Sequence, residues 1–307
     1  MNAVYALSST FKIASSSTTA IFSASTDDVE GSTSINTDDT DKIVDSRPPY
    51  LPPNPTPMPE PLPEDLKHSY YLLRHGQSTA NLAGIISSAR SLAYSEKHGL
   101  TPLGWEQGRK SAEQLTHLIS KNNDIGDEGK SRTVYFYSSP FARAHQTAQA
   151  CMETLVKNLE TDGNKLHLDV KSDEIYMEDG FMERYFGRLD AMPLETYAYV
   201  WPVDLFDPTH NAFEVESVSE VATRIRAALL NIDERVTNDI GNEDERAVVV
   251  VASHADTLQI TQVYAAGAKN VGTFSQYRFG NGEIRYMDRS TDSLPEAAPL
   301  KPPKRGT

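Results

Sequence analysis

Apolar and polar residues change their period several times along this chain. Three short apolar runs, residues 70–73, 133–137 and 247–252, show almost no alternation, the pattern of strands buried on both faces of a parallel sheet. Helical spacing lies between them. Thr101 is placed to cap a helix with Pro102 at its first position, and that helix should run to about Ser120. Ser139 is placed to cap a second helix, and Ser217 with Glu220 forms a capping box for a third, whose buried stripe is Val218, Val221, Ile225 and Leu229. The alternating residues 166–170 predict a strand nearer an edge, and residues 276–288 predict one or two closing strands. Gly104 and Gly108 share a helix face at a cost of about 1 kcal/mol each relative to alanine, which points to close packing against another backbone.

Composition sets the limits of the folded part. Of 307 residues 38% are hydrophobic, enough for a sizeable core, and no apolar run reaches the 18 or so residues that span a bilayer. The formal charge of -14 argues against a nucleic acid or an anionic membrane as partner, so any phosphate site must be a local island of Arg and His. Residues 1–65 hold ten Asp/Glu against three Lys/Arg, half of that excess charge. Within them residues 1–26 carry eleven Ser/Thr and a lone Lys12, readable as a disordered tail or as a plastid transit peptide, so the chain is placed in the cytoplasm or the plastid. An acidic stretch follows, and then nine prolines between Pro48 and Pro63 that predict an extended linker or a strap on the surface. The expected organisation is a disordered extension over 1–65, one domain over 66–290 and a flexible tail over 291–307. The lone cysteine, Cys151, lies at helical spacing with Ala144, Ala148 and Leu155 and reads as a buried structural thiol.

Candidate chemistry gathers where the apolar runs stop. The first ends in Arg74-His75-Gly76, the second in Ser138-Ser139-Pro140 with Arg143 just beyond, the third in Ser253-His254. Ligands of open parallel sheets bind outside the carboxyl ends of the strands, so two arginines and two imidazoles would meet at one edge. That set suits phosphoryl transfer: one imidazole attacks phosphorus, the arginines neutralise the equatorial oxygens, and a carboxylic acid protonates the leaving oxygen. The segment 175–187 supplies acids among aromatics and glycines, and chemistry by itself leaves Glu178, Asp179 and Glu183 open for the acid.

Leu73-Arg74-His75-Gly76-Gln77-Ser78 with Asn81, Leu100-Thr101-Pro102-Leu103-Gly104 with Gln107, Ser138-Ser139-Pro140 with Arg143, Glu183-Arg184 with Gly187, Glu216-Ser217 and Ser253-His254 stand in one order over residues 68–288. In this the chain resembles the histidine phosphatase superfamily, in its phosphoglycerate mutase-like branch. The resemblance implies an α/β fold, three-layer α/β/α with a mainly parallel sheet flanked by helices. It further implies His75 as the phosphorylated nucleophile, Arg74, Arg143 and His254 as the phosphate pocket with Asn81 adding a contact, and Glu183 as the acid and later base. No metal and no cofactor is implied, and the partner would be a small phosphorylated substrate.

Two departures bear on activity. After His254 the chain has Ala255-Asp256 where the mutases have glycine and asparagine, and between 189 and 211 it lacks the arginines and lysine with which they hold a carboxylate. The sequence therefore favours a metal-independent phosphomonoesterase over a cofactor-dependent phosphoglycerate mutase or a scaffold with a vestigial site.

Overall fold

The computed structural model describes residues 55–306, apart from 128 and 243. The readings of residues 1–26, of the acidic stretch and of the first part of the proline run lie outside the described residues. Six strands form one sheet: β1 (Ser69–Arg74), β2 (Arg132–Ser138), β3 (Leu168–Val170), β4 (Tyr176–Met177), β5 (Val248–Ser253) and β6 (Ile284–Tyr286). The order is β3-β2-β5-β1-β6, with β4 also pairing with β2; every pairing is parallel except that of β6 with β1.

The near absence of alternation in β1 and β5 has the expected cause. Tyr70 and Leu72 join Val249 and Val251 in a core on one face, while Tyr71 and Leu73 join Val248 and Val250 in a core on the other. The described residues form six α-helices, α1 (Thr79–Ala83), α2 (Pro102–Lys121), α3 (Ala142–Asp162), α4 (Trp201–Phe206), α5 (Val218–Ile240) and α6 (Ala255–Ala265). Helices α2 and α3 cover the second face through Leu115, Ile119, Cys151 and Leu155, and α5 and α6 cover the first through Ile225, Leu229, Ile260 and Val263. This is the expected three-layer α/β/α arrangement. Thr101 caps α2 by accepting from the Gly104 amide (3.1 Å), and Ser217 and Glu220 close the box at α5.

Ser139 departs from its expected role. Helix α3 has Phe141 as its N-cap residue and no side-chain cap, and the Ser139 hydroxyl pairs instead with Nε2 of His254 at 2.8 Å. The closing strands reduce to the single β6. Cys151 is fully buried and its thiol is pushed up to about 12 by burial, as befits a structural residue.

The flanking segments lie against the domain. Residues 55–63 run extended over α5 and α6, where Arg289 donates to the Leu62 carbonyl (2.9 Å) and Tyr264 to that of Glu60. Residues 291–306, expected to be a flexible tail, have one 3-10 turn, Thr291–Ser293, and then return to the start of α1. There the Gly306 amide donates to the Asn81 carbonyl (2.8 Å), Gln77 Nε2 to the Gly306 carbonyl (2.7 Å) and Arg305 to the Leu82 carbonyl (2.7 Å).

The two glycines of α2 are explained by what they touch. A Cβ on Gly104 would overlap the Gln77 carbonyl, one on Gly76 would overlap the Gly104 carbonyl, and one on Gly108 would press on Ala150 of α3. Backbone thus meets backbone behind His75. In Gly104→Ala the helix propensity gain of about 1 kcal/mol should be outweighed by overpacking of about 1–3 kcal/mol. Urea unfolding is expected to give a lower midpoint than wild type, and a higher one would mean that α2 can retreat from the loop.

Candidate active site

Register places the three strand ends level with one another. Arg74 pairs with Ser253, and Ser138 with Ala252, so β1, β2 and β5 stop together and their following residues open onto one space. That space is a cavity of about 430 Å³ whose walls include Arg74, His75, Asn81, Arg143 and Glu183, five of the six residues singled out by sequence. The sixth, His254, is completely buried at the N-terminus of α6, packed edge to face on His75 with ring centroids 5.3 Å apart.

The hydrogen bonds of His75 fix its tautomer. Its Nδ1 lies 2.7 Å from the Gly76 carbonyl, which can only accept, so Nδ1 carries the proton and the Nε2 lone pair stays free. Burial, then the charges of Arg143 and Arg74, hold the imidazole well below its ordinary pKa, so it is neutral at pH 7. Arg74 donates from Nη1 to the Phe279 carbonyl (2.7 Å) and keeps a buried Nε without an acceptor. Arg143 donates to the Ser87 carbonyl (2.8 Å) and lies over the Phe141 ring at 4.8 Å. Burial lowers Arg143 to about 10, which leaves it charged at neutral pH.

Asn81 is divided between two tasks. Its Oδ1 accepts from the Ser78 amide (3.0 Å) to close the capping box of α1, while the residue also lines the cavity. The expected contact with a ligand therefore falls to its amide nitrogen.

Glu183 is held by its neighbours in the chain and the fold. Oε1 accepts from the Arg184 amide (3.0 Å), and Oε2 stands 4.0 Å from the unpartnered Nδ1 of His254. Burial raises the Glu183 pKa, against the lowering effect of Arg143 and Arg74. The two acids left open beside it do other work: Glu178 accepts from the Gly180 amide (3.1 Å) and Asp179 from the Tyr94 hydroxyl (2.7 Å). Glu216 braces the loop from below, accepting from Arg90 (2.8 Å), Arg224 (2.8 Å) and the Tyr185 amide (3.0 Å).

Several cavity residues had no signal in the sequence. Tyr197, Trp201, Gln259, Arg278 and the tail residues Pro303 and Gly306 come from four separate stretches of chain with no shared spacing. Asp256 was marked only as a departure. Burial and then the Glu183 charge push it up to about 7, while its Oδ2 accepts from Trp201 Nε1 (3.1 Å) and lies 3.7 Å from Arg184. Among the described residues no group of three or more His, Cys, Asp or Glu side chains is placed to hold a metal ion.

Residues 70–294 match the model of the histidine phosphatase superfamily (branch 1). A stretch of 91 residues is 33% identical to the 2,3-bisphosphoglycerate-dependent phosphoglycerate mutase of Thermoplasma acidophilum; it makes up 30% of this chain and 36% of that enzyme, so the match spans about a third of the relative's length. Among solved structures, a mycobacterial glucosyl-3-phosphoglycerate phosphatase superposes with a TM-score of 0.50 at 17% identity, over 71% of this chain and 88% of that one. A phosphoserine phosphatase variant of Entamoeba histolytica gives 0.46 at 21% identity, over 71% and 88%. At these identities the structural likeness is one of fold.

The mutual influence of Asp256 and Glu183 gives a pH test. Asp256→Asn removes a negative charge that opposes ionisation of Glu183, so Glu183 should lose its proton at lower pH. The basic limb of kcat/KM for p-nitrophenyl phosphate is then expected to move to lower pH than in wild type. A limb that stays put, or moves up, would show that the two carboxyls do not interact.

Proposed function

The chain belongs to the histidine phosphatase superfamily, a family of enzymes, and from that premise we propose that it hydrolyses a small phosphomonoester through a phosphohistidine on His75. The carrying observation is the state of His75: its one proton is committed to the Gly76 carbonyl, which leaves the Nε2 lone pair free, and the residue lines a cavity shared with two arginines and a carboxyl whose pKa is raised.

In this reading Nε2 of His75 attacks phosphorus in line while the bond to the leaving oxygen breaks. Arg74 and Arg143 neutralise the equatorial oxygens, and Glu183 gives its proton to the leaving alkoxide. Glu183, now a carboxylate, takes a proton from water as the water oxygen attacks phosphorus and the N–P bond breaks. Inorganic phosphate leaves, His75 is neutral again and Glu183 is re-protonated, so both steps balance without any further reactant. The Ser139 hydroxyl lies 2.8 Å from Nε2 of His254; in the tautomer that accepts from it, Nδ1–H of His254 is a buried donor without an acceptor, and a phosphoryl oxygen on His75 would fill it.

Hydrolysis of a panel of phosphate esters in the presence of a chelator is expected in the wild type and absent in His75→Ala. Arg143→Ala, with an unchanged circular dichroism spectrum, should lose roughly 100- to 1,000-fold in kcat/KM, the usual scale for a lost charge-stabilising donor. Full activity in Arg143→Ala would refute the phosphate clamp. Interconversion of 2- and 3-phosphoglycerate stimulated by 2,3-bisphosphoglycerate, with no net hydrolysis, would replace the phosphatase reading by a mutase.

A further inference from the structure

Beyond the phosphate pocket the cavity holds a third arginine that the chemistry above does not use. Arg278 lies over the Trp201 ring, 4.8 Å from its centroid, and lines the same cavity. Its Nε and Nη2 are buried without an acceptor, and its guanidinium donates no hydrogen bond among the described residues. The carboxylate that acts on it most strongly, Asp256, is engaged instead by Trp201 (3.1 Å) and Arg184 (3.7 Å), with no ion pair to Arg278 among the described residues. Beside it Gln259, 2% exposed, gives Oε1 to the Phe279 amide (3.4 Å) and leaves its Nε2 hydrogens with no acceptor.

Such an arrangement calls for acceptors. A guanidinium carries five donors in a fixed plane, and a buried donor left without a partner is destabilising. Nε and Nη2 lie on one edge of that plane, the edge that takes the two oxygens of a carboxylate side by side. Charge points the same way. Arg74 and Arg143 match the two negative charges of a phosphomonoester, and Arg278 remains as one uncompensated cation. Its position fixes the scale as well, since Phe279, whose carbonyl grips Arg74, is the next residue along the chain.

We propose that Arg278, with the Gln259 amide and the Trp201 ring, forms a second anion subsite that binds a carboxylate on the substrate. Resting on the phosphatase reading, this makes the substrate a small phosphomonoester bearing a carboxylate a few bonds from the phosphate. Arg278 is thus the residue that sets preference among esters, while His75, Arg74, Arg143 and Glu183 act on the phosphoryl group common to all of them.

The test compares esters that differ in that one group, O-phosphoserine with phosphoethanolamine and 2-phosphoglycolate with ethyl phosphate. Wild type is expected to favour the carboxylate member of each pair by roughly 10- to 100-fold in kcat/KM, the scale of a hydrogen-bonded charge pair. In Arg278→Gln that ratio should fall towards one, chiefly through KM. Calorimetric titration of 2-phosphoglycolate into His75→Ala, with and without Arg278→Gln, reads the same subsite without turnover, and the double variant should bind roughly tenfold or more weakly. Equal ratios and equal affinities with and without Arg278 would overturn the subsite. A larger loss for a bisphosphate than for a carboxylate ester would overturn the choice of carboxylate. Failure of every ester to hydrolyse would sink the phosphatase reading, while the titration would still decide the subsite.

Discussion

The site depends on a buried ion pair that takes no part in the chemistry. Arg184 and Asp204 are both shut off from water and meet fork to fork, with Nη1 and Nη2 donating to the two carboxylate oxygens at 2.8 and 2.7 Å. Burial pushes the Asp204 carboxyl up, but Arg184 and the hydrogen bond from His210 (2.8 Å) outweigh it and hold Asp204 below its ordinary range. Desolvating two charges costs several kcal/mol per ion and is recovered only with near-ideal geometry and saturated donors. Arg184 meets that condition through a further bond from Nε to the Glu216 carbonyl (2.7 Å). One side chain therefore ties the loop carrying Glu183 to α4, which carries Trp201, and to the residue before the cap of α5.

Everything on that wall inherits its position from the pair. The amide of Arg184 orients Glu183, Trp201 lies in the same helix as Asp204, and Asp256 meets both Arg184 and Trp201. The opposite wall is set by the sheet, whose parallel register brings Arg74, Ser138 and Ser253 level. Between them desolvation acts on every ionisable group and drives each toward its neutral form. His75 and His254 lose basicity, Glu183 and Asp256 lose acidity, and only the arginines, with the highest intrinsic pKa, keep their charge. A cavity of neutral imidazoles, carboxyls of weakened acidity and charged guanidiniums favours anions. It does so inside a chain that is itself strongly acidic.

The sequence was most legible where structure is local. The caps at Thr101 and Ser217 and the apolar runs of β1 and β5 depend on neighbours a few residues apart, so pattern sufficed for them. Arg74, His75, Arg143 and Glu183 were readable because each follows an apolar run or belongs to a motif whose spacing carries information. Ser139 was misread because the acceptor of an α3 cap and the partner of His254 are the same hydroxyl, and only a contact 115 residues away decides between them. The tail was read as free because prolines forbid regular structure without saying whether an extended segment finds hydrogen bonds, as Gly306 does with Gln77 and Asn81.

The sequence by itself determined the layers, the strand ends and the set of residues proposed to move a phosphoryl group, since periodicity and short motifs mark these one segment at a time. Tertiary structure alone decided the tautomer of His75, the burial of His254 behind it, the raised pKa of Asp256, and the meeting of Trp201, Gln259 and Arg278 in one cavity. Those properties arise from desolvation and from donors left without acceptors, quantities that exist only once distant segments have closed around a common space and excluded water from it.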